Sequence, residues 1–305
     1  LPGIIPGKPL PPPYYAYAPS TDAAIVAACL FALSTLIHTY QLLRTRVWFF
    51  VPIFIGGCFE VFGFICRYKN AQETPYWDRM TFQVMTLGIL LAPTFFAASI
   101  YMEFGRVMLL AGGDHKSFIR RKFLTPIFVI GDILSFAIQA IGGVMSIQND
   151  PDTMKRGQTV VIVGLWAQII SFGLFIVNAL VWWLRMKKAP TYLSQRTPWV
   201  KHMCVLLFAG LMIFVRCIYR VIEYEQVSGG DVGELMGHEV YQYTLDALEM
   251  FLLMIVFHWA HPSEVVSLIR GGNVATLWKV YRVAPMTKEN DIQIGSPHGI
   301  MGSGQ

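Results

Sequence analysis

Seven stretches of this chain, near 22–43, 47–66, 80–105, 124–145, 159–184, 200–222 and 239–260, are apolar and of nearly the same length. A helix that crosses the hydrocarbon core of a bilayer needs about 20 such residues. A chain in lipid must satisfy its backbone hydrogen bonds internally, which leaves helices or closed barrels. Runs this long and continuous predict helices. Charged residues are 14% of the total against 54% apolar, where soluble domains carry roughly 25% charged. The expected fold is all-α: an integral membrane bundle of seven transmembrane helices over 22–262.

Two tails flank the bundle. Residues 1–21 are rich in proline, with three in a row at 11–13, and predict an extended segment. The tail over 263–305 is expected to begin with a short amphipathic helix, with Val274, Leu277, Trp278 and Tyr281 on one side, and to be disordered from Ala284 onward. Orientation follows from basic residues in the loops. Sixteen Lys and Arg fall in connections 1–2, 3–4, 5–6 and the C-terminal tail, against six in the N-terminal tail and connections 2–3 and 4–5. Connection 6–7 is acidic, with Glu223, Glu225, Asp231, Glu234 and Glu239. The N-terminus is therefore expected outside and the C-terminus in the cytosol. The cysteines (Cys29, Cys58, Cys66, Cys204, Cys217) all lie in apolar runs and suggest no disulfide framework.

An anchor alone would not carry charge into the bilayer, because an ionised group near its centre costs at least ~2.5–3.5 kcal/mol. Here the last span holds Asp246 and Glu249, with Gln242 one turn earlier. Span 1 carries Ser34, His38 and Gln41, and span 2 carries Glu60 and Arg67 between glycines. Span 3 has Gln83 and Pro93, where a kink is expected. Span 4 has Asp132, Ser135 and Gln139, and span 5 has Gln168. Span 6 has Arg216, Arg220 and Glu223. Helical spacing places each set on one face. The polar faces are expected to meet inside the bundle, with Arg216 facing Glu60 or Asp246.

The candidate substrate-binding residues are Glu60, Gln83, Gln139, Gln168, Arg216, Arg220, Glu223, Glu239, Asp246 and Glu249. Each has a purely structural alternative. Buried ion pairs can fix helix register, glutamines can join neighbouring helices, and His238 and Glu239 can cap the last span or gate an outer mouth. Glu103 is expected at the cytosolic rim beside Arg106. An inner polar set, His38, Asp132 and His258, is a candidate proton relay. No cofactor is expected. The alternatives are zinc on His38, His258 and His261, or haem between His38 and His258. Ser34-x-x-x-His38, Asp132 and His258-x-x-His261 resemble the residue set of seven-span zinc lipid hydrolases. The last pair is spaced by three, however, and Pro262 is expected to end the helix there.

Several strings resemble a single family, the fungal RTA1-like proteins, or lipid-translocating exporters. They are HTYQ (38–41), GGCFEVFGFICR (56–67), LAPTFFAASIYMEFGR (91–106), GDILSFAIQAIGG (131–143), GLWAQIISFGLF (164–175), VRCIYRVIEYEQ (215–226) and GHEVYQYTLDALEMF with HWAHP (237–262). They keep the family's order and touch every span. The resemblance implies a seven-helix fungal membrane protein that exports or flips sphingoid long-chain bases and related lipids, gives resistance to toxic amphiphiles and, in one branch, takes up porphyrin or haem. The family's recurrent polar positions fall on His38, Glu60, Arg67, Gln83, Asp132, Gln139, Gln168, Arg216, Arg220, Glu223, His238, Glu239, Asp246 and His258.

Residues and resemblance together predict a protein that binds and translocates, or senses, a cationic amphiphile such as a sphingoid base. Its carboxylates would receive the ammonium and its glutamines the hydroxyls. The expected partners are membrane lipids and not nucleic acid, and the expected site is the plasma membrane or an internal one. The alternatives are a receptor-like lipid sensor, a porphyrin transporter and a zinc-dependent hydrolase. Only the last would be an enzyme.

Overall fold

The computed structural model describes residues 15–146, 148, 150–228 and 234–285. The proline stretch before Tyr15, Asp231 of the acidic connection and the residues from 286 on lie outside the described residues. Among the described residues, seven helical segments are long and apolar enough to cross a membrane. They comprise α1 (Thr21–Thr45), α2 (Val51–Gln72, entered through a 3-10 turn at Trp48–Phe50), α3 (Arg79–Leu110), α4 (Arg121–Met145), α5 (Pro151–Lys188), α6 (Trp199–Ser228) and a composite last span. That span follows a short α7 (Glu234–Gly237). It runs through α8 (Glu239–Gln242), a π-helical turn (Tyr243–Ala247) and α9 (Leu248–Trp259).

Capping residues set several starts. Ser20 accepts from the Ala23 amide, Asp78 from Thr81 and Asp150 from Thr153. Each satisfies an amide that a helix N-terminus leaves without a partner. The hydrogen bonds to Thr81 also hold the Asp78 carboxyl below its ordinary value. Helix α1 stops where Arg46 turns left-handed at φ 56°.

Consecutive helices pack as neighbours, α1 on α2 through to α5 on α6, and α9 closes the bundle against α6 and α1. The centre is α3. Its apolar window is 72% buried, against 28% for α4. Glycines set the closest approaches. A Cβ on Gly142 of α4 would stand 2.7 Å from the Gly157 carbonyl oxygen of α5, and one on Gly56 of α2 would stand 2.9 Å from that of Ala92 on α3. Only backbones without side chains come this near. Tyr101, Phe104, Phe128, Phe172, Phe175 and Trp182 fill the core between α3, α4 and α5 with tilted and edge-on ring contacts.

The expected amphipathic helix at 274–281 does not form. The chain makes α10 (Ser263–Arg270) and then an antiparallel hairpin, β1 (Gly272–Thr276) with β2 (Lys279–Val283). Gly271 at φ 75° and Gly272 at φ 148° make the corner, and Leu277 at φ 51° makes the turn. Val274 and Ala275 are buried, while Trp278 and Tyr281 stay exposed.

Candidate functional site

A buried charged cluster lies between α2, α3, α6 and the last span. Asp246 is bonded by two guanidiniums at once, Arg216 through Nε to Oδ1 and Arg220 through Nη2 to Oδ2. The arginines are four apart on α6 and so share a face. Arg220 also holds Glu223 at 2.9 Å, and Tyr219 donates to that carboxylate at 3.2 Å. Arg216 sends its Nη2 to the Ile89 carbonyl at 2.7 Å. That carbonyl is free because Pro93, four residues on, has no N–H to return to it. The proline therefore supplies an acceptor inside the membrane.

Glu60 stands beside this cluster and is not bonded into it. It feels the charges of Asp246, Arg216 and Arg220. It is 1% exposed, and neither carboxylate oxygen meets a donor among the described residues. Glu249, one helical turn past Asp246, likewise leaves its Oε2 without a partner. Arg216 thus takes Asp246 of its two expected partners. The site holds two arginines and four carboxylates, with acceptor capacity left over on Glu60 and Glu249. Buried acceptors without donors are costly.

A second hub forms around Arg67, which is fully buried. Its Nε donates to the Tyr243 hydroxyl at 3.1 Å and its Nη1 to Gln242 at 2.8 Å. Its Nη2 donates to Tyr17 at 2.8 Å and to Glu239 at 2.7 Å. Glu239 also accepts from the Ser20 amide at 3.0 Å. Tyr15 and Tyr17 stack near the guanidinium, and Asn70 donates to the Tyr15 hydroxyl at 3.0 Å. Burial pushes the Tyr15 phenol up to about 12, with Arg67 opposing. Glu239 therefore joins the start of α1 to α2, and this hub is separate from the Asp246 cluster. His238 precedes α8 without a side-chain cap bond.

The π turn allows both hubs. A π-helical segment carries one extra residue per turn relative to an α-helix. Gln242, before the turn, faces Arg67, and Asp246, inside it, faces Arg216. The shared face expected for Gln242 and Asp246 is divided between two hubs. Arg67 was visible in sequence as a polar position on span 2. Gln242 and Glu239 were visible too, but its tyrosine neighbours at the N-terminus were not, because Tyr15 and Tyr17 sit in a segment that composition marks as a tail.

The remaining candidates fall elsewhere. Gln139 donates to Gln168 at 2.9 Å, joining α4 to α5. Gln83 is half-buried near the start of α3. The inner set divides in two. Asp132 accepts from Tyr101 at 2.7 Å. His38 and His258 stack with centroids 3.8 Å apart. His258 sits between Ser34 at 2.9 Å and Gln41 at 3.0 Å. Gln41 and the His258 carbonyl then bond the backbone of Leu277, so this polar patch fastens the hairpin to the bundle. Rings that close leave no room for a macrocycle between them. His261 turns to Ser263 at 2.9 Å. Among the described residues no three His, Cys, Asp or Glu side chains converge as a metal would require. Glu103 is fully buried, 3.3 Å from His202, and stays close enough to Arg106 to feel its charge. His202 escaped notice because it follows Lys201, which reads as an ordinary helix-end charge.

A family model described as "RTA1 like protein" matches residues 53–268. The chain is 35% identical to Protein RTA1 of Saccharomyces cerevisiae, over 81% of this chain and 84% of that protein. It is 29% identical to the same yeast's Protoporphyrin uptake protein 1, over 80% and 90%. Against the yeast Sphingoid long-chain base transporter RSB1 it is 27% identical, over 82% and 73%. No solved structure matches the chain.

Proposed function

The chain belongs to the RTA1-like family of fungal multi-pass membrane proteins, and from that premise we propose that it binds and translocates cationic amphiphiles of the sphingoid-base kind. One observation carries this reading: Glu60 is buried among charges with both oxygens open. A sphingoid base brings an ammonium with three donors, and a buried carboxylate with no donor is the complement it lacks. Asp246 is committed to two arginines, which leaves Glu60 as the ammonium acceptor and Glu249 as its support. The name of the yeast long-chain base transporter agrees with this class of cargo.

Glu60 is shut off from both faces of the bundle in this structure. A lipid headgroup reaches it when α2 and the last span part, with the alkyl tail remaining in the bilayer. The excess of Lys and Arg in connections 1–2, 3–4 and 5–6 supports an outside N-terminus and a cytosolic C-terminus. The membrane we propose is the plasma membrane, where export of such lipids gives resistance to them.

Glu60→Gln keeps the size of the side chain and removes its charge. Cells carrying it should retain the protein at the surface and lose efflux of a labelled long-chain base. Normal efflux at normal surface level removes Glu60 from the mechanism.

A further inference from the structure

A groove of about 360 Å³ opens between α6 and α9, away from both arginine hubs. Its walls are Cys204, Val205 and Phe208 from α6 with Val256 and Trp259 from α9, and Lys201 stands at one end. Cys204, Phe208 and Trp259 are exposed. On membrane-spanning helices that exposure faces acyl chains, so the trough takes hydrocarbon. Its polar end is fixed. The Lys201 ammonium meets Glu264 at 2.7 Å and lies 5.3 Å from the Trp259 ring centroid. Glu264 is held in turn by His202 at 3.2 Å, and His202 by the buried Glu103.

A Lys–Trp pair at a helix end marks the headgroup level of a bilayer. An ammonium has three donors, and Glu264 takes one. Lys201 also belongs to the bundle end where connections 1–2, 3–4 and 5–6 together carry twelve Lys and Arg, the kind of surface that attracts anionic lipid. A long-chain base would bring its own ammonium against Lys201, so the groove does not suit the cargo proposed for Glu60.

We propose that this groove is a binding site for a phosphate-headed membrane lipid, one chain lying along the trough and the phosphate on Lys201. Both walls also carry the Asp246 cluster further along, Arg216 and Arg220 on α6 and Asp246 just before α9. A chain wedged in the groove therefore bears on the helix pair that holds those charges.

The test uses the full chain in lipid nanodiscs with phosphatidic acid or diacylglycerol, each bearing a photoreactive diazirine on one chain. Phosphatidic acid should label peptides within 199–208 and 248–259 more strongly than diacylglycerol. Lys201→Gln should lower the phosphatidic acid signal roughly tenfold, the loss of one charge-assisted hydrogen bond, and leave the diacylglycerol signal unchanged. Cys204→Trp, at an exposed position, should block both. Equal labelling by the two lipids in the unaltered protein overturns the proposal. So does label placed outside those segments, or a phosphatidic acid signal that either substitution leaves unchanged.

Discussion

Asp246 and Glu60 are both carboxylates on the inner faces of spanning helices, and they answer opposite needs. Asp246 neutralises two guanidiniums that would otherwise be stranded in the bundle. Asp246→Asn leaves both arginines short of a counter-charge, and breaking a buried pair of this kind costs ~3–5 kcal/mol. The expected outcome is a lower melting temperature and less protein at the membrane. Glu60 neutralises nothing within hydrogen-bond reach. Glu60→Gln should leave the melting temperature unchanged or higher, since a buried acceptor without donors loses its charge, as at sites where stability is given up for function. A thermal shift measured on both purified variants separates the two roles, and equal destabilisation would make Glu60 a structural residue. That charge in these spans must be paired was readable from cost alone. Which carboxylate took Arg216 was not, because helical spacing gives a face and a depth but not a distance.

The composite last span, which carries Glu239, Asp246, Glu249 and His258 among the candidate residues, also decides most in the structure. Its π turn lets Glu239 and Gln242 reach Arg67 while Asp246 reaches Arg216 and Arg220. Deleting Thr244, which is exposed, removes the extra residue and rotates the part before it by about 100° relative to Asp246. The N-terminal anchor should then come free of Arg67 while the Asp246 cluster persists, read as new protease sensitivity before Thr21. The anchor also has a pH limit. Tyr15 is buried as the neutral phenol, with its folded value about 12, against about 10 in an unfolded chain. The anchor should hold fully below about pH 10 and loosen as the pH climbs towards 12. The hairpin was misread for a related reason. Val274, Leu277, Trp278 and Tyr281 have helical spacing, and the pair Gly271–Gly272 ahead of them was the overlooked sign of a corner. Gln41, from the polar face of span 1, and His258, read as part of a candidate proton relay, hold that hairpin's turn.

At the scale of the whole molecule, the seven-helix bundle was legible because hydrocarbon admits few alternatives. Its glycine-lined helix contacts were legible too, since residues without side chains sit where backbones must nearly touch, whereas the central place of α3 was not, because its apolar run reads like the others. Orientation is the remaining architectural claim. An epitope placed after residue 285 should bind antibody only once the cell is permeabilised, and binding on intact cells would reverse the proposed topology. The account as a whole turns on a buried carboxylate waiting for a cationic headgroup. Its most direct test is the affinity of the purified protein for a sphingoid long-chain base and for the same base N-acetylated, which keeps the tail and hydroxyls but has no charge. The account predicts that the free amine binds, that the acetylated form does not, and that Glu60→Gln abolishes the difference. Equal binding of the two lipids, or a preference that survives Glu60→Gln, would contradict it.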